Sequence, residues 1–204
     1  MLFDDTYKTI ESNAEGIFRD KGSKFIAYAY PIRTEEEVKP ILLNLRAEHT
    51  KARHFCYAYR LSPDRSVFRI NDDGEPSGTA GRPILNCLLS EDVTNVLMVV
   101  VRYFGGTLLG VPGLIAAYKN ASIEALKSAT IVNKTVNDLY QIEFDYLQMN
   151  DVMRLVKEEG LMVLSQNFDT HCVLKFEVRK AQLNQVLAKF DKIEGLKHQY
   201  LQTI

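Results

Sequence analysis

No apolar run in this chain is long enough to cross a bilayer; the longest, VLMVVV, covers only residues 96–101. The opening stretch, MLFDDTYKTI, lacks the basic segment and long apolar core of a signal peptide. Cysteine is scarce: Cys56, Cys87 and Cys172 are odd in number, widely spaced and never arranged as C-x-x-C. That argues against a disulfide framework or a structural zinc site, and for a reducing, cytoplasmic compartment. The histidines at 49, 54, 171 and 198 lack ligand spacing, so neither a metal nor a cofactor is expected. Excess charge is missing as well. The net charge is −1, with 16 basic and 16 acidic residues in 1–133 and 9 and 10 in 134–204. Neither segment has the basic surplus of a protein that grips duplex DNA through its phosphates. Nucleotide fingerprints are absent too, since no G-K-[ST] or G-x-G-x-x-G occurs.

What is present is ample apolar material, 46% of the residues, in two differently patterned parts. In residues 134–204, TVNDLYQIEF reads as a strand and Met149, Val152, Met153 and Val156 form a helical stripe ended by Gly160. LMVLSQNF and HCVLKFEV read as strands joined by Asp169-Thr170, Leu183, Val186, Leu187 and Phe190 repeat the helical spacing, and LKHQYLQ closes with a strand. The order βαββαβ is that of a ferredoxin-like unit. It carries no cluster of reactive residues, and a scaffold or docking role is its plain reading.

Residues 1–133 form the other expected domain. GIFRDKGSKFIAYAY suggests two strands, HFCYAYRL and SVFRI two more, and VLMVVV, apolar on both faces, a covered central strand. A helix follows Thr34 with a capping box to Glu37, and Pro40 is expected to kink it. Another helix is expected from about Pro112 to Ser128.

Three constellations bear on function. The first is NDDGEPSGTAGRP at 71–83. Asp72-Asp73-Gly74 signals a turn. Ser77, Gly78 and Thr79 offer hydroxyls and unhindered amides that can wrap an anion, with Arg82 adding a full charge. Asp72, Asp73 and Glu75 suit Mg²⁺ or a basic partner instead. A plain surface turn leading into a helix near Gly78 or Thr79 fits equally well. The second is RYFGGTLLGVPG at 102–113, where Gly105 and Gly106 at a strand-to-helix turn either admit a ligand or serve close packing. The third is HFCYAYR, which places His54, Cys56, Ala58 and Arg60 on one strand face. His54 beside Cys56 invites a thiol nucleophile, but no orienting acid is evident and a buried cysteine is the commoner outcome. No catalytic residue is assigned.

DDGEPSGTAGRPIL followed by NVLMVVVRYFGGTLLG resembles the signature of the IMPACT family and its bacterial YigZ-like branch. HFCYAYR and KGSKFIAYA match that family's strands, and the resemblance covers essentially the whole chain. It implies an α+β protein. A two-layer α/β domain like the second domain of ribosomal protein S-five would be followed by a ferredoxin-like domain similar to the fifth domain of elongation factor G. Eukaryotic relatives restrain a kinase of the amino-acid starvation response through protein contacts. The sequence departs from the pattern after FGG: Val111-Pro112 stands for Thr-Gly, and Ala116 for an arginine. One hydroxyl and one charge are thereby lost, leaving Arg102 and Lys119 as the local cations.

The expectation is a non-enzymatic regulatory protein linked to translation. Its partner would be structured RNA, the ribosome or a translation factor, met on a face holding His54, Arg60, the 71–83 loop and the 102–113 turn. Two rivals stand beside it. One is a phosphate- or nucleotide-dependent enzyme with an acidic Mg²⁺ loop. The other is a docking module without a nucleic-acid role.

Overall fold

The computed structural model describes residues 5–169 and 171–204. Thr170, half of the expected Asp169-Thr170 turn, lies outside the described residues, as do residues 1–4. The chain divides into two compact units: Tyr7–Lys134, and Thr135–Ile204 with which Asp5 and Thr6 group.

The first unit is built on a five-stranded sheet. In chain order its strands are β2 (Ala14–Asp20), β3 (Ser23–Pro31), β4 (His54–Leu61), β5 (Val67–Asn71) and β6 (Val96–Tyr103). Their spatial order is β2-β3-β6-β4-β5, and every pairing is antiparallel. β6 occupies the centre, as its two-faced apolar run requires. Alternation sends Met98 and Val100 to one core and Leu97, Val99 and Val101 to the other. The first core is closed by α2 (Gly81–Ser90) and α3 (Gly110–Ser128), the second by α1 (Val38–Glu48).

Local chemistry sets these boundaries. Thr34 and Glu37 form the expected capping box, but around a 3-10 turn (Glu35–Glu37) that precedes α1. Pro40 therefore falls in the first turn of α1, where its missing N–H matters least, and no kink is needed. β2 and β3 are joined by Lys21-Gly22, both at positive φ, the geometry of a tight hairpin. Not foreseen is the ribbon of β1 (Thr6–Ile10) with β7 (Ile131–Thr135), whose strands come from opposite ends of the unit.

The second unit follows the βαββαβ order: β8 (Asn137–Phe144), α4 (Met149–Glu158), β9 (Met162–Phe168), β10 (Cys172–Arg179), α5 (Leu183–Phe190) and β11 (Lys197–Thr203). The antiparallel sheet runs β11-β8-β10-β9, and alternate residues of β8 and β10 meet α4 and α5 in one apolar core. Asp5 is tied into this unit by a two-pronged bond from Arg179, at 2.8 and 2.7 Å. Those bonds hold its carboxyl below the usual carboxylate range, against the opposing pull of burial.

Candidate functional site

The acids of the 71–83 loop turn inward. Asp72 accepts hydrogen bonds from the amides of Gly78 (2.9 Å), Ala80 (3.0 Å) and Gly81 (2.8 Å), and so caps the start of α2. Three loop amides that could have faced an external anion are thus engaged by the chain's own carboxylate, and the Thr79 amide donates to the Pro76 carbonyl. This carboxylate also sits where the positive end of α2 favours it. α2 accordingly starts at Gly81, after a turn in which the Thr79 hydroxyl donates to the Pro76 carbonyl. Asp73 takes both oxygens to Arg46, each at 2.9 Å, and accepts the Phe55 amide at 2.7 Å.

Glu75 reaches furthest in. Its side chain is 4% exposed and lies 2.5 Å from the Arg102 guanidinium, itself 7% exposed. The Tyr118 hydroxyl donates to the same carboxylate at 2.8 Å. Next to it, the Cys56 thiol lies 3.3 Å from that hydroxyl and 2.9 Å from the Asp72 carbonyl. Burial raises the ionisation of both Cys56 and Tyr118 far above their ordinary ranges, with nearby Glu75 adding to the rise. Such a thiol stays protonated and is no nucleophile. His54 does not activate it; its Nδ1–H donates instead to the Asp73 carbonyl at 2.9 Å.

The 71–83 loop and the 102–113 turn therefore do meet, through Glu75 and Arg102. They meet in the interior, which corrects the expectation of a shared partner-facing array of arginines. Arg60 is consumed as well, by Asp92 at 3.2 Å and the Val93 carbonyl at 3.3 Å. Burial of Asp92 is outweighed by its bonds to Arg65 and Arg60, which lower its ionisation. Gly105 is a packing residue: a Cβ there would lie 2.0 Å from the Gly22 carbonyl carbon. Among the described residues no group of three or more His, Cys, Asp and Glu side chains could hold a metal ion.

Ser77, Gly78, Arg82, Gly105, Gly106 and Lys119 are the candidates left exposed. Arg82 and Lys119 flank a groove of about 740 Å³ between α2 and α3. Its floor holds Pro83, Cys87, Ile115, Ile123 and Leu126. Burial pushes the Cys87 thiol up to about 11, so it behaves as a small apolar side chain. Neither Arg82 nor Lys119 has a side-chain ion pair to another described residue. The exposed apolar surface continues past Ile115 along Val111 to Leu108, which is 84% exposed. Sequence reasoning missed this groove. Its signal was the recurrence of Ile115, Lys119 and Ile123 at intervals of four opposite Arg82, Asn86 and Ser90 at the same interval.

These features describe a two-unit α+β protein whose loop carboxylates are tied to the chain itself and whose first unit carries an apolar groove flanked by cations. The Impact N-terminal domain model matches residues 21–126. The IMPACT family member YigZ of Escherichia coli is 34% identical over 83% of this chain and 84% of its own length. The Protein IMPACT homolog of Saccharomyces cerevisiae is 35% identical over 45% of this chain and 36% of its own. A crystal structure described only as that of a hypothetical protein superposes with a TM-score of 0.73 at 29% identity, covering 97% of this chain and 98% of that one. The chain belongs to the IMPACT family.

Proposed function

We propose that this protein is a non-enzymatic, cytoplasmic regulator linked to translation, acting through contacts with a component of the translation apparatus. Family membership supports the link to translation, because the resemblance to eukaryotic relatives implies regulation by protein contact. The observation that carries the binding reading is the division of charge. Asp72, Asp73, Glu75, Arg60 and Arg102 all have internal partners, while Arg82 and Lys119 have no ion pair among the described residues and stand beside an apolar groove. An acidic Mg²⁺ loop gains no support, because each of its carboxylates is spent on the chain itself.

The test is co-sedimentation of the full chain with purified ribosomes and with structured RNA, wild type against the Arg82→Glu/Lys119→Glu double variant. Retention of the wild type on ribosomes and loss of the variant is the expected result. Failure of the wild type to associate with either would overturn the translation reading. Arg60 and Arg102 are poor probes of binding, since removing either disturbs an internal ion pair.

A further inference from the structure

We propose that the α2–α3 groove is the docking site for an acidic amphipathic helix of a protein partner. This rests on the binding role above and names its occupant. The volume, about 740 Å³, lies in the range of formed binding sites. At 1.5 Å rise per residue, the lining from Ile115 to Lys127 runs about 18 Å along α3, which suits roughly three turns of helix. Two packed helices with side chains at i and i+4 make a groove that accepts apolar residues of a third helix at i, i+3, i+4 and i+7.

Charge decides the kind of helix. Arg82 and Lys119 lie one on each wall, and neither has an ion pair among the described residues. Lys127, at the far end, is held by Glu124 at 2.8 Å. Carboxylates flanking the partner's apolar stripe would meet both free cations. A nucleic acid fits poorly, since the floor is apolar and Glu91 sits on the lining. A second copy also fits poorly: an isologous contact sets the same patch on both subunits, so cation would face cation.

The experiment uses fluorescein-labelled synthetic helical peptides, titrated with the full chain and read by anisotropy. One carries leucine at i, i+3, i+4 and i+7 with glutamate on both flanks. A second replaces glutamate by lysine, and a third breaks the acidic helix with proline. Wild type is expected to hold the acidic helix at least tenfold more tightly than the other two. Arg82→Glu/Lys119→Glu should reverse the preference between acidic and basic peptides. Ile115→Asp should weaken both peptides, with circular dichroism confirming its fold. No binding of the acidic peptide, or equal binding by wild type and double variant, overturns the proposal. So does displacement of the peptide by an oligouridylate, or a sedimentation shift showing that a second copy fills the groove. Ribosome association without peptide binding defeats this inference and leaves the translation reading standing; peptide binding without ribosome association does the reverse.

Discussion

Arg102 and Arg82 stand for two regions of one domain that use the same chemistry for opposite ends. Around Arg102 the charges are buried and paired: Glu75 answers the guanidinium, Tyr118 answers Glu75, and Cys56 closes the cluster. Around Arg82 the charge is exposed beside an apolar floor, with no ion pair among the described residues. A buried pair is costly to desolvate and punishing to break, whereas an exposed cation is almost free to remove. The comparison teaches that charge in a motif becomes recognition only where the fold withholds a partner.

The sharpest way to break the comparison is Glu75→Ala, which leaves the Arg102 charge buried and alone. It should cost about 3–5 kcal/mol in urea unfolding. Gly105→Ala comes next. Its new methyl must displace the Gly22 backbone, and overpacking of this kind costs about 1–3 kcal/mol, read as a lowered Tm. Asp72→Ala removes the acceptor for three amides at the start of α2. A loss of about 1–2 kcal/mol is expected, with Asp72→Asn milder because an amide oxygen still accepts.

Acid sharpens the contrast within the second unit. Arg179 holds the Asp5 carboxyl below its ordinary range. Its contribution is therefore complete above the unfolded value, about 3.9, and is lost as pH falls through the lower folded value. Asp5→Asn should then be less stable than wild type at pH 6, with the gap closing below about pH 4. The smallest effect belongs to the groove: Arg82→Glu/Lys119→Glu should shift stability by no more than about 0.5 kcal/mol.

Period and alternation carried much of the fold. The stripe of α4, the spacing of α5 and the two-faced run of β6 each demanded one kind of burial and received it. The β1–β7 ribbon was illegible because TYKTI finds its partner at the other end of the unit, a pairing no local window contains. The candidate site was legible as a place but not as a direction. Asp-Asp-Gly-Glu reads alike whether its carboxylates face water or turn inward. Only the positions of Arg46, Arg102 and the α2 amides, all distant in the chain, decide it. Tyr118 gave no warning either, being one aromatic in a helix that presents mostly apolar residues to the core.

The most direct measurement is urea unfolding of Arg102→Ala and Arg82→Ala side by side. The first should lose about 3–5 kcal/mol, because Glu75 is left buried without its counter-charge. The second should stay within about 0.5 kcal/mol of wild type. Equal losses would contradict the division of this motif into an internal ion pair and an open cation.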